Sequence, residues 1–141
     1  MKIIEKNIKN DISELGVISE IIEDLRQDYN LKEETVFTIN LVLDELITNI
    51  IRHGYNDECE HYIDLVVCAD EDDSSIILRL MDDGEPFNPL DYPEPDIHAP
   101  LEERKPGNMG IHLVKNMTDD LKYRRENGKN ILLIKKKVAF G

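Results

Sequence analysis

The stretch LVLDELITNIIRHGY, residues 41–55, has the spacing of a helix, yet it sets Glu45, Asn49 and Arg52 in the middle of an apolar run. At about 100° per residue those three fall within roughly 60° of one another, while Val36, Ile39, Leu43, Ile47 and Ile50 gather on the opposite side. Leu41 shares the polar stripe, and Val42 and Leu46 flank it. A stripe with that setting reads as the wall of a pocket rather than as a face turned to open water. An ExxxN pair on a helix is common by itself, so the weight falls on what surrounds it.

A chain of 141 residues is the size of one domain, since a second core would be too small to hold. Hydrophobic residues at 40% and charged residues at 33% are ordinary for a folded protein. The formal net charge of −13 is not. So acidic a surface repels phosphate backbones and anionic lipid, which argues against nucleic acid or a membrane surface as the main partner. A polyphosphate would have to be held locally, by helix N-termini, a few cations or Mg²⁺. Cys59 and Cys68 form no CxxC, and no Cys and His cluster has metal spacing. The first residues are broken by charge, and no run approaches transmembrane length, so the expected compartment is the cytoplasm.

Around the opening stretch, residues 2–8 alternate weakly as an edge strand, and residues 12–29 carry Leu15, Ile18, Ile22 and Leu25 at helical spacing. A break near Asn30 precedes a helix over 32–52, with Gly54 expected as a left-handed terminator. Residues 62–69 and 75–81 read as a hairpin joined by an acidic turn. In the second of these strands Ile76, Leu78 and Leu80 share one face, and Asp82 continues that row. A buried carboxylate needs a partner, which backbone or a ligand could supply. All six prolines fall between Pro86 and Pro106, a long loop of the kind that forms lids and binding loops. It closes on KPGNMGIHLVKNM, in which Gly107 and Gly110 precede a short helix. Such glycines admit an anion to exposed N–H groups, although for a GxxG by itself a turn or packing role is the better explanation. Two strands, 120–125 and 130–138, follow around a turn at ENGK.

Taken in order, ExxxN on a long helix, DxG after a strand, a long loop and GxxG opening a helix resemble the GHKL ATPases. Within them the similarity is to the stand-alone anti-sigma-factor serine/threonine kinases, which carry a histidine-kinase-like ATPase domain. DELITNIIRHGY resembles their N box, MDDGEPFNP their first glycine box, and GNMGIHLVKNMTDDLKY their second. Pro86 and Phe87 stand where many relatives have a second glycine, and Asn108 and Met109 interrupt the second box.

The resemblance implies an α+β fold, a two-layer Bergerat sandwich with a mostly antiparallel sheet covered by helices on one face and a long ATP lid. It implies one ATP-binding kinase domain over residues 1–141. Glu45 would be the catalytic base and Asn49 the Mg²⁺ ligand, with Asp82 on the adenine amine. Gly84 would permit close approach of the backbone, and Phe87 would be among the residues that bind the nucleotide. Gly107, Asn108, Met109, Gly110, Ile111 and His112 would surround the phosphates, with Arg52, His53, Arg104 and Lys105 as candidate cations. The implied function is an ATP-binding anti-sigma factor that phosphorylates a STAS-domain antagonist in partner switching. A sigma factor would be its other partner, and relatives also form homodimers. A nucleotide-gated adaptor without kinase activity is the alternative, which Glu45 disfavours. A histidine kinase fragment is disfavoured by the lack of a dimerisation helix with a phospho-accepting His.

Overall fold

A computed structural model describes residues 1–91 and 108–140 of the chain. It opens with strand β1 (Lys2–Lys9) and a 3-10 turn, Ile12–Glu14, whose entry is capped by Asp11 accepting from the Ser13 N–H at 3.0 Å. Helix α1 (Leu15–Tyr29) follows and stops at Asn30, which takes the left-handed conformation with φ 51° and ψ 49°. Asn tolerates that region better than other non-glycine residues, so the break near Asn30 has a local cause.

Helix α2 (Glu33–His53) begins with Glu33 and Glu34 and ends with Arg52 and His53, charges that suit the two poles of its dipole. Its end differs from the sequence expectation. Gly54 is right-handed, with φ −81° and ψ −20°. What requires glycine there is space, because a Cβ would stand 2.6 Å from the Ile50 carbonyl oxygen.

Strands β2 (Tyr62–Asp70) and β3 (Ser75–Asp82) form a hairpin, with Asp70 Oδ1 accepting from the Asp72 N–H at 3.1 Å inside the turn. A 3-10 turn, Pro89–Asp91, starts the proline-rich segment, and the rest of that loop lies outside the described residues. Helix α3 (Asn108–Met117) then leads into β4 (Asp120–Glu126) and β5 (Lys129–Lys137). Gly110 therefore lies inside α3 rather than before it. Asn127 and Gly128, at φ 53° and 75°, give the β4–β5 hairpin the positive dihedrals of a tight two-residue turn.

The five strands pair antiparallel in the order β1-β2-β3-β5-β4. Period-two alternation sends Ile63, Leu65 and Val67 of β2, Ile76, Leu78 and Leu80 of β3, and Leu132 and Ile134 of β5 to one buried face. Against it pack Ile18, Ile22 and Leu25 of α1 and Ile39, Leu43, Leu46 and Ile47 of α2 in one apolar cluster. Each such side chain contributes about 1.5–3 kcal/mol by leaving water. On the other face Val66, Cys68, Ile77, Arg79 and Leu133 remain half-buried. This is the α+β two-layer sandwich with helices on one side of the sheet.

Candidate functional site

The packing of α2 decides where its polar stripe points. With Leu43 and Ile47 held against the sheet, Glu45 is half-buried, Asn49 is buried, and Arg52 and His53 are exposed in the last turn. Together with Thr48 and Gly110 these four line a cleft of about 670 Å³. Across it, α3 brings Gly110 against Glu45, so closely that a Cβ on Gly110 would stand 2.6 Å from the Glu45 carboxyl carbon. The carboxylate thus sits at the first turn of α3, where the N-terminal pole of the dipole favours negative charge.

Asn49 Nδ2 is buried without a hydrogen-bond partner among the described residues. An orphaned buried amide costs about 1–3 kcal/mol, which a ligand entering the cleft could offset. The described residues hold no group of three or more His, Cys, Asp and Glu side chains arranged to hold a metal ion. A cation bound here would draw on one amide oxygen and on donors brought with it. That donor set suits Mg²⁺, which keeps waters and takes phosphate oxygens.

A second cluster lies at the end of β3. Asp82, 4% exposed, accepts at Oδ1 from the Gly84 N–H at 2.9 Å and from Asn130 Nδ2 at 3.0 Å. Burial pushes its carboxyl above the ordinary range, and Asp83 adds to that. The bonds from Asn130 and Gly84 and the charge of Arg125 pull it back. The two clusters meet through α2. Gly54 carbonyl oxygen accepts from the Glu85 N–H at 2.6 Å, and a Cβ on Gly84 would run into that carbonyl group. From Glu45 to Gly54 the helix rises about 13 Å, so α2 forms one continuous wall for both.

The loop after α2 is clasped to the same place. His61 stacks on Tyr55, with centroids 4.2 Å apart, and its ring nitrogens lie 2.7 Å from Asp57 Oδ1 and 3.3 Å from Asp83 Oδ1. The bond to Asp57 and the charges of Asp57 and Asp83 hold the imidazole above its ordinary pKa. Burial pushes the Tyr55 phenol up, and its hydroxyl has no partner among the described residues.

The cleft therefore gathers Glu45, Asn49, Arg52, His53 and Gly110, while Asp82, Gly84 and Phe87 belong to the second cluster, where the Phe87 N–H donates to Asn130 Oδ1 at 3.3 Å. Ile111 is fully buried in the apolar core. His112 lies along α3, its Nε2 3.0 Å from Asn116 Nδ2. Asn108 and Met109 form the start of α3, and Arg104, Lys105 and Gly107 lie outside the described residues.

Sequence reasoning missed Asn130, Tyr123 and Arg125. Asn130 pairs with Asp82 on one side and Arg125 on the other, so the three form one row across the inner face. Polar residues on an otherwise apolar strand face were the available signal.

A family model described as a histidine kinase-like ATPase domain matches residues 8–136. The serine/threonine-protein kinase BtrW of Bordetella bronchiseptica is 28% identical over 98 residues, 70% of this chain and 68% of the relative. The anti-sigma F factor of Clostridium acetobutylicum is 23% identical over 104 residues, 74% of this chain and 71% of the relative. Among solved structures, a chain holding the RsbU and RsbW domains of a Mycobacterium tuberculosis protein superposes with a TM-score of 0.71 at 9% identity. That likeness is one of fold, and it covers 99% of this chain and 33% of the other. No helix among the described residues is long and apolar enough to cross a membrane. With the sheet order, the ExxxN wall and a family match over nearly the whole length, the chain belongs to the histidine kinase-like ATPase domain family.

Proposed function

We propose that the chain is a single ATP-binding kinase domain, an anti-sigma regulator that transfers the γ-phosphoryl group of ATP to a serine or threonine of a STAS-domain antagonist. The observation that carries the reading is the shared cleft of Glu45 and Asn49, one helical turn apart on α2 and closed by Gly110. Names of relatives, a serine/threonine-protein kinase and an anti-sigma factor, support it.

Asp82, buried at the end of β3, would accept the exocyclic amine of adenine, and Gly84 would let the base approach the backbone. The triphosphate would run along α2 towards Asn49, whose amide oxygen would hold Mg²⁺. Bound Mg²⁺ would neutralise charge on the phosphates. Arg52 and His53 stand at the same wall. Glu45 would take the proton from the attacking hydroxyl as its oxygen bonds to the γ-phosphorus and the bond to the β-phosphate oxygen breaks, releasing ADP. Arg104, Lys105, Gly107, Asn108, Met109 and His112 complete the proposed phosphate side.

The test is transfer of label from radiolabelled ATP to a STAS-domain protein of the same genome. Glu45→Gln keeps size but cannot accept the proton, and transfer should fall by about a hundredfold to ten-thousandfold with ATP binding retained. A wild-type protein that binds ATP and partner tightly yet never labels the partner is a nucleotide-gated adaptor instead.

A further inference from the structure

Asn130 is 3% exposed, and every polar atom of its amide is engaged. Its Oδ1 accepts from the Tyr123 hydroxyl at 2.5 Å, from Arg125 Nη1 at 3.1 Å and from the Phe87 N–H at 3.3 Å. Its Nδ2 donates to Asp82 Oδ1 at 3.0 Å and to the Glu85 carbonyl oxygen at 2.8 Å. Donors surround the oxygen and acceptors the nitrogen, so the amide has one allowed orientation. A carboxylate of the same shape would set oxygen against oxygen at Asp82. An apolar side chain would remove all of these bonds at once.

Asp82 Oδ1 is thereby occupied twice, by Gly84 and Asn130, while Oδ2 receives no donor among the described residues. Arg125 strengthens the arrangement from the far side, with Nη1 2.7 Å from the Gly84 carbonyl oxygen. We propose that Asn130 is the specificity-determining positioning residue of the nucleobase site: it clamps Asp82 by one oxygen and fixes the Gly84–Phe87 turn, so that the other oxygen is presented as a pure acceptor to the exocyclic amine of adenine. Guanine carries a carbonyl at the corresponding ring position and meets that acceptor with a second acceptor. The inference rests on the reading of Asp82 as the base-contacting carboxylate.

An acceptor must be ionised to exclude guanine, and Asn130 bears on that as well. Burial and Asp83 favour the protonated acid at Asp82, whereas Asn130, the Gly84 N–H and Arg125 favour the carboxylate. Tyr55 also faces Asp82, neutral and with its own ionisation suppressed by burial, and His61 lies beyond Asp83. Loss of the Asn130 bond moves Asp82 towards the neutral acid, which can donate to the guanine carbonyl. Selectivity and its pH profile should therefore move together.

The experiment is calorimetric titration of ATP and GTP into wild type, Asn130→Asp and Asp82→Asn between about pH 6 and 8.5. In Asn130→Asp, two carboxyl groups face each other and share a proton. The ratio of ATP to GTP affinity should drop at least about tenfold, and ATP affinity should rise with pH where wild type is flat. Equal losses for both nucleotides with no new pH dependence would overturn the proposal and leave Asn130 a packing residue. Unchanged ATP affinity in Asp82→Asn would instead remove Asp82 from the base site, a separate failure. If circular dichroism finds Asn130→Asp unfolded, Asn130→Thr and Asn130→Val decide. They share one shape, and the hydroxyl alone can donate to Asp82. Thr should keep at least about tenfold more ATP selectivity than Val, and equal selectivity overturns the inference.

Discussion

The carboxylate of Glu45 occupies the space that a side chain on Gly110 would need: a Cβ built there meets the Glu45 carboxyl carbon at 2.6 Å. Gly110→Ala should therefore separate chemistry from folding. The displaced atoms are the end of a flexible side chain, and alanine inside a helix is favoured over glycine by about 1 kcal/mol. Thermal melting should show unchanged or slightly raised stability, while labelled transfer falls about a hundredfold if Glu45 is the proposed base, because its carboxylate is turned from its position. Loss of both together would mean that Glu45 cannot swing aside and that the contact is structural.

Asn49 should report on the proposed Mg²⁺ site. Asn49→Ala is expected to reduce ATP affinity in Mg²⁺ to the value measured with chelator, and to leave the chelator value within about threefold of wild type. Paired titrations with Mg²⁺ and with EDTA decide it. Equal losses in both would restrict Asn49 to supporting α2.

Asp82 is a carboxylate held at a cost to the fold. Its folded pKa is raised by burial, so its contribution to stability is complete below the ordinary carboxylate range and is lost as pH rises through the folded value. Asp82→Asn keeps an oxygen for Asn130 and removes the charge. The variant should be about 1 kcal/mol more stable than wild type near pH 7, with the difference closing towards pH 4. Urea unfolding at several pH values checks this. A less stable variant at neutral pH would show that the network needs the charge.

The His61 clasp should be visible in the opposite pH range. The imidazole pKa is raised by its bond to Asp57 and by both carboxylates, and the Asp57 carboxyl is lowered by the same bond and by the Cys59 N–H. For His61 the stabilisation is present below its unfolded value and fades as pH rises through the raised one. For Asp57 it is present above the ordinary carboxylate value and fades as pH falls through the lowered one. Melting of His61→Gln against wild type should therefore differ most at about pH 5–6 and converge by about pH 8.5. A difference independent of pH would assign the effect to the stack on Tyr55.

The long helix, the β2–β3 hairpin and the inner row ending in Asp82 were legible because each rests on local periodicity, 3.6 in one case and 2 in the other. Glu45 and Asn49 were legible for the same reason, since one helix sets their spacing. Gly54 misled because glycine after a helix usually supplies a left-handed turn, whereas here it makes room for backbone of its own helix and offers its carbonyl to Glu85. Asn130 left only one mark in the sequence, a polar residue on an otherwise apolar strand face, and it took the register of β3 with β5 to place it beside Asp82.

That register joins residues 48 apart in sequence. Closing a loop of this length carries an entropy penalty that local hairpins avoid, so β3–β5 pairing is expected to follow β2–β3 and β4–β5 in folding. A clamp that depends on the late pairing is absent from earlier species, which would have nothing to offer a nucleotide. Nucleotide would then act as a brake rather than a template, slowing unfolding of the finished chain while leaving the rate of folding unchanged.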